Sequence, residues 1–273
     1  MRMARSSAVV FTDLDATLLG HDDYDWQPAA QALALLAAHD VPVCIVTSKT
    51  AAEVAALRIA LGNAHPFAVE NGGAVAVPQG YFDGARCDAQ TPVALTTLGA
   101  ERDALRSLVV RLRSEHGFRF TGFGDMEIDD VAEATGLDKA SAAQALDRSA
   151  SEPLLWQDSQ AALEAFSAEV AAAGRVVRVG GRFVHVLGQA HKGDAVAWLR
   201  ARYERAHGPI LAVALGDSGN DADMLEAADI GYWVARPDGS YHAPTTGHIR
   251  HARGIGPAGW AEAIEALIAH HEI

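Results

Sequence analysis

The chain has 273 residues, 49% of them hydrophobic, enough for a sizeable core and too apolar for a disordered segment. Its 22 Lys and Arg stand against 35 Asp and Glu, a formal net charge of −13 that argues against a nucleic-acid or anionic-membrane surface. Cys44 and Cys87 fit neither a disulfide framework nor a zinc site, and with no apolar run of membrane-span length and no signal-peptide core around residues 8–11, a cytoplasmic protein is expected.

Residues 7–12, Ser-Ala-Val-Val-Phe-Thr, form a continuous apolar run, the pattern of a strand buried on both faces. Pro28 sits near the start of a helical stretch that runs to His39, a position that suits proline. Residues 41–46 predict the next strand, and residues 51–61 a helix closed by Gly62. Short strands are expected at 66–70 and 75–78, around Asn71-Gly72-Gly73. Strand and helix alternating at this spacing predict βαβ units. The middle reads differently. Helices are expected at 101–116, at 129–149 with a break at Gly136, and at 161–173, with strands at 119–121 and 153–157. Runs at 175–179 and 182–187 flank Gly180-Gly181, a hairpin signal. The first pattern then returns: a helix at 191–206, a buried strand at 210–215, a short helix at 221–228, a strand at 230–234 and a closing helix at 259–270. The expected fold is α/β, a Rossmann-like parallel sheet with helices on both faces. Residues 1–84 and 189–273 would form this core, and residues 85–188 an inserted α+β domain.

Three segments carry candidate chemistry, each just beyond the carboxyl end of a predicted parallel strand. They are Thr12-Asp13-Leu14-Asp15-Ala16-Thr17, Val46-Thr47-Ser48-Lys49-Thr50 and Gly216-Asp217-Ser218-Gly219-Asn220-Asp221. Ligands bind at that edge of open α/β sheets. An Asp-x-Asp triplet alone reads equally well as a solvated turn. Four carboxylates, Asp13, Asp15, Asp217 and Asp221, gathered at one edge would repel unless a cation sits among them. Hard oxygen ligands point to Mg²⁺.

Asp13-Leu14-Asp15-Ala16-Thr17, the Thr47 segment, Lys192 and Gly216-Asp217-Ser218-Gly219-Asn220-Asp221 resemble, in order and context, the four motifs of the haloacid dehalogenase (HAD) superfamily of phosphatases. About 34 residues separate Asp13 from Thr47 and about 145 separate Thr47 from Lys192. That spacing resembles the subclass whose cap domain follows the second motif. Further fragments resemble the mannosyl-3-phosphoglycerate phosphatase family: residues 21–26, Glu70-Asn71-Gly72, Thr121-Gly122-Phe123, residues 133–137, Gly181-Arg182-Phe183-Val184-His185 and Gly256-Pro257-Ala258-Gly259-Trp260. One position departs from the pattern, Ala16 where glycine is usual. At negative φ the alanine costs little, and at positive φ it is strained.

The resemblance implies Mg²⁺-dependent hydrolysis of a phosphorylated sugar substrate, a glycosyl-3-phosphoglycerate with mannosyl favoured, through a phosphoenzyme. Asp13 would be the nucleophile and Asp15 the general acid and base. Mg²⁺ would be held by Asp13, the carbonyl of Asp15 and Asp217, with Asp221 a further ligand or the anchor of a metal-bound water. Lys192 would neutralise the phosphoryl oxygens. Thr47 would donate a hydrogen bond to them, with Ser48 the neighbouring alternative. Lys49 faces either a second anionic group of the substrate or solvent. Asn71, Asn220 and, on the inserted hairpin, Arg182 and His185 complete the expected substrate contacts, while Trp156 is either a sugar platform or, more in keeping with its type, core. A broad-specificity sugar-phosphate phosphatase, a phosphomutase and a non-catalytic binding protein on the same scaffold are the competing readings.

Overall fold

The structure is a computed structural model and describes residues 7–180 and 182–273. The elements, in chain order, are β1 (Ser7–Thr12), α1 (Ala30–Ala38), β2 (Val43–Ile45), α2 (Ala51–Leu61), β3 (Phe67–Val69), β4 (Ala74–Pro78), β5 (Val93–Thr97), α3 (Arg102–His116), β6 (Phe120–Gly122), α4 (Ile128–Thr135) and α5 (Lys139–Leu146). They continue with β7 (Ser151–Trp156), α6 (Gln160–Ala172), β8 (Val176–Gly180), β9 (Phe183–Leu187), α7 (Lys192–His207), β10 (Ile210–Gly216), α8 (Ala222–Glu226), β11 (Ile230–Ala235), β12 (Ile249–Ile255) and α9 (Gly256–Ala269).

The central sheet is fully parallel, in the order β12-β11-β10-β1-β2. Alternation along β1 divides the core in two. Val10 packs with Leu36, Trp260, Ile264 and Leu267 beneath α1 and α9, while Val9 and Phe11 pack with Val196, Leu199 and Met224 beneath α7 and α8. The register sets Thr12 beside Leu215 and beside Ile45, so β1, β2 and β10 end at one level. Asp13, Thr47 and Asp217 therefore emerge together. A bridge between Val46 and Ala68 carries the sheet on to β3, which pairs antiparallel with β4.

A second sheet, β6-β7-β9-β8, is antiparallel. One face is covered by α3 and α6, where Leu105, Leu112, Phe166 and Val170 meet Leu154, Val184 and Val186. Trp156 belongs here, its ring 5.9 Å from that of Phe120 and stacked nearly parallel to it. The break at Gly136 is a left-handed C-cap with φ 81°, and Gly62 closes α2 in the same way at φ 63°.

Two strands were not legible in the sequence. β5 pairs with β4, although it falls inside the stretch 85–188, and β12 forms the outer edge of the central sheet. Both are edge strands with one solvated face: β5 is largely exposed, and β12 carries Arg250 and His251 between its buried Ile249 and Ala252, with the exposed Arg253 beyond them. Neither has the apolar run by which a central strand announces itself. The hairpin also differs in register. Gly180 pairs with Phe183 and Arg178 with His185, so Arg182 falls in the turn rather than in the strand. Gly181, half of the expected Gly-Gly turn, lies outside the described residues, as do residues 1–6 of the expected core.

Candidate active site

Lys192 is the hub. It opens α7 with His191 as N-cap, and its ammonium is fully buried. Its Nζ donates to Asp13 Oδ1 and to Asp221 Oδ1, each at 2.6 Å. Gly72 permits this placement, because a Cβ there would collide with the backbone carbonyl of His191. Gly216 plays the same part for Asp221, whose Cβ and Cγ occupy the space a side chain at 216 would need.

Asp221 is saturated. Its Oδ2 accepts from the amides of Asp217 and Ser218 at 3.1 and 3.0 Å, while Oδ1 takes Lys192. Its carboxylate thus orients Lys192 and the Asp217 loop. Asp13 is anchored by its amide to the Leu215 carbonyl, and beneath it the buried Trp260 indole donates to Thr12 Oγ1. Asp217 keeps one oxygen near Thr17 Oγ1 at 3.4 Å. Ligand oxygens of Asp13, Asp217 and Asp221 lie within 4.8 Å of one another. Burial pushes the Asp13 carboxyl up to about 8 despite Lys192, with Asp221 and Asp15 adding to the rise. Burial and the Asp221 charge push Asp217 up to about 6. One lysine does not offset this much buried negative charge, so the donor set fits a divalent cation on the oxygens that Lys192 leaves free.

Asp15 points elsewhere. Its Oδ1 is 3.0 Å from Lys49 Nζ, which also lies 5.0 Å from the Tyr24 ring centroid. Lys49 is therefore half-buried and paired with Asp15, and it does not line the cavity between the strand ends and the second sheet. Ala16 has φ 58° and is buried, the strained case, which costs about 1–2 kcal/mol for a residue with a Cβ.

Between the strand ends and the second sheet lies a cavity of about 690 Å³, lined by Ser48, Asn71, His185, Ser218 and Asn220 among others. Asn71, itself left-handed at φ 58°, accepts from Asn220 Nδ2 at 3.0 Å. Thr47 is buried behind Ser48, with its Oγ1 accepting from the Lys49 amide at 3.3 Å. His185 is held neutral, its imidazole pushed down to about 4 by burial and by Arg148. Arg182 is absent from this lining; its Nη1 donates to the Ala134 carbonyl at 3.1 Å, at the end of α4. Two residues at the seam escaped the sequence reading. Arg178 lines the cavity opposite the Ser218–Asn220 loop. Glu70, at φ 52° and fully buried, clamps the second sheet to the core: its carboxylate accepts from the Ser149 amide and hydroxyl at 2.8 and 2.9 Å, from the Ala150 amide at 3.1 Å and from the Ser151 hydroxyl. The hairpin register would have revealed Arg178, since it faces His185; nothing local in the sequence signals the Glu70 contacts.

The parallel sheet, the carboxylate–lysine cluster at its carboxyl edge and the second sheet above it define a phosphatase of the HAD superfamily, a phosphoric monoester hydrolase. The fold is shared with a solved protein of Bacteroides thetaiotaomicron described among the phosphatases of the haloalkanoate (HAD) superfamily, with a TM-score of 0.65 and 17% identity over 100% of this chain and 98% of that one. The family model "Sucrose-6F-phosphate phosphohydrolase" matches residues 155–267. Two curated relatives carry the name glucosyl-3-phosphoglycerate/mannosyl-3-phosphoglycerate phosphatase. One, from Methanococcoides burtonii, is 38% identical over 95% of this chain and 97% of its own length; the other, from Persephonella marina, is 35% identical with the same coverage. The chain belongs to the glucosyl-3-phosphoglycerate/mannosyl-3-phosphoglycerate phosphatase family.

Proposed function

We propose that the protein hydrolyses the phosphomonoester of a glycosyl-3-phosphoglycerate, with the mannosyl compound favoured, to the glycosylglycerate and phosphate, and that it requires Mg²⁺. The observation that carries this reading is the buried Asp13–Lys192–Asp221 array at the carboxyl edge of the central sheet, beside a cavity of about 690 Å³ whose lining includes Ser218 and Asn220 of the Asp217–Asp221 loop. A cavity of that size accepts a disaccharide-sized ester rather than a small phosphate alone. Mg²⁺ fits the Asp13 and Asp217 carboxylates together with the Asp15 carbonyl, and when bound it screens the two anions, carboxylate and phosphate, that must meet.

The chain's own groups do the rest. Asp13 attacks phosphorus in line with the glycerate oxygen; a P–O bond forms on the carboxylate as the P–O bond to the sugar-bearing alcohol breaks. Asp15 gives the departing oxygen a proton, then takes one from the water that cleaves the aspartyl phosphate and regenerates Asp13. Lys49 holds Asp15 during this exchange, so it acts on the acid rather than on the substrate. Lys192, fixed by Asp221, faces the phosphoryl oxygens, and the Thr47 hydroxyl donates to one of them. Ser48, Asn71, His185 and Asn220 meet the rest of the substrate. The unit carrying the antiparallel sheet, within residues 85–188, serves as a cap that excludes water and contributes binding energy remote from the phosphate.

The match to the sucrose-6F-phosphate phosphohydrolase model favours a second reading, a sugar-phosphate phosphatase of broader range. Phosphate release from mannosyl- and glucosyl-3-phosphoglycerate, beside hexose phosphates and sucrose 6F-phosphate, separates the two. A kcat/KM at least tenfold higher for the phosphoglycerates is expected, and a flat profile supports the second reading.

A further inference from the structure

The substrate proposed above carries two anionic groups, a phosphate and a glycerate carboxylate. The phosphate is matched by Lys192. The carboxylate needs its own cation, and most of those around the cavity are already engaged. Lys192 is bound to Asp13 and Asp221, Lys49 to Asp15, and Arg148 to the Ala145 carbonyl, Ser151 Oγ and the Glu70 carboxylate. Arg182 is turned to Ala134, and Arg236 to the Asp217 carbonyl and His242.

Arg178 differs from all of these. It lies on β8, directly across the ladder from His185, so both side chains project from the face of the second sheet opposite its α3–α6 core. Among the described residues lining the cavity it is the one permanent cation. Among the described residues its single charged partner is Asp223, at 3.7 Å between Nη2 and Oδ2, and the two side chains are 42 and 43% exposed. An ion pair that long and that wet contributes little, and exchanging it for another carboxylate costs little. Asp223 also lies 3.7 Å from His191 Nδ1, next to Lys192, so the pair links the cavity-lining Arg178 of the second sheet to the start of α7.

We propose that Arg178 is the specificity-determining residue of this site: its guanidinium leaves Asp223 and binds the carboxylate of the substrate, selecting phosphate esters that bear a second, carboxylate anion. The planar fork of arginine matches a carboxylate in two parallel hydrogen bonds, a geometry that lysine lacks. Asp223 is the placeholder that keeps the guanidinium over the cavity before substrate arrives. The assignment rests on the substrate class given above.

The test compares kcat/KM of the native protein and of Arg178→Gln on mannosyl-3-phosphoglycerate and on the same compound with its carboxylate converted to the carboxamide. Loss of two charge-assisted hydrogen bonds should lower kcat/KM on the carboxylate about 10–100-fold, mainly through KM, and should lower it far less on the amide. Arg178→Lys should recover only part of the loss, and Asp223→Asn, which removes the competing anion, should lower KM on the carboxylate. Equal losses on both compounds, or none on either, overturn the assignment. Should the native protein fail to hydrolyse any glycosyl-3-phosphoglycerate, the substrate reading falls by itself. Arg178 is then judged by calorimetric binding of 3-phosphoglycerate and of glycerol 1-phosphate to the Asp13→Asn protein with and without Arg178→Gln. A preference for 3-phosphoglycerate that disappears with Arg178 supports its role, and no such preference overturns it.

Discussion

Replacing Glu70 by glutamine keeps the shape of the side chain and removes its charge. The buried carboxylate accepts two hydrogen bonds on each oxygen, from the Ser149 amide and hydroxyl on Oε1 and from the Ala150 amide and the Ser151 hydroxyl on Oε2. Whichever oxygen becomes the amide nitrogen, a backbone N–H then faces an NH₂ donor with no acceptor between them. The serine hydroxyl on that side can rotate to accept instead, so one bond is lost outright and the others lose their charge assistance. A hydrogen bond to a charged group contributes about 1.5–3 kcal/mol, and Arg148, 4.0 Å away and also buried, loses its counter-ion. The expected destabilisation of Glu70→Gln is about 3 kcal/mol. The same contacts hold Glu70 at φ 52°, a strained conformation for a residue with a Cβ. The assay is urea unfolding followed by tryptophan fluorescence and far-UV circular dichroism, with Ser149→Ala and the double variant completing a cycle. A coupling of at least about 1 kcal/mol between positions 70 and 149 is expected. A Glu70→Gln change below about 1 kcal/mol, with no coupling to position 149, would refute the clamp.

Asp13→Asn should abolish turnover while the protein stays folded, because an amide cannot form the acyl phosphate; more than a few per cent of native activity in a preparation free of deamidation would rule out the nucleophile. In the metal-free protein, Asp13 and Asp217 have carboxyl groups raised to about 8 and about 6, so the stability they leave intact at low pH is lost as pH rises through those values. The melting temperature of the EDTA-treated protein should therefore fall between about pH 4 and 8, and Mg²⁺ should raise it more at pH 8 than at pH 6; a melting temperature insensitive to Mg²⁺ at pH 8 would contradict the metal site. Thr47→Val should lower kcat by about 10²–10³ as a phosphoryl donor is lost, while Ser48→Ala, at the cavity wall, should act mainly on KM; the reverse pattern would assign the phosphoryl contact to Ser48.

The groups brought together at the sheet edge were legible because parallel strands deliver them locally. Asp13 follows β1, Thr47 follows β2 and Asp217 follows β10, and the shared register of these strands brings their ends level. What sequence could not supply was partnership across long separations. Lys49 reads as a candidate for a substrate anion until its 3.0 Å contact with Asp15 is known. Glu70 is an unremarked member of Glu70-Asn71-Gly72 until residues 149–151 are folded against it. A turn displaced by one residue moved Arg182 out of the strand and set Arg178 opposite His185, which no composition or motif discloses. The edge strands β5 and β12 escaped for a related reason: half of each faces solvent, so half of the apolar signal is missing.

The most direct measurement is phosphate release in the presence of Mg²⁺ from mannosyl-3-phosphoglycerate, glucosyl-3-phosphoglycerate, sucrose 6F-phosphate and glucose 6-phosphate under one set of conditions. The expected result is hydrolysis of the glycosyl phosphoglycerates with kcat/KM at least tenfold above the other esters, and its loss in Lys192→Met, which removes the cation between Asp13 and Asp221. Equal rates across the four esters, or native-level hydrolysis by Lys192→Met, would contradict a site built on Asp13 and Lys192 to read a glycosylated phosphoglycerate.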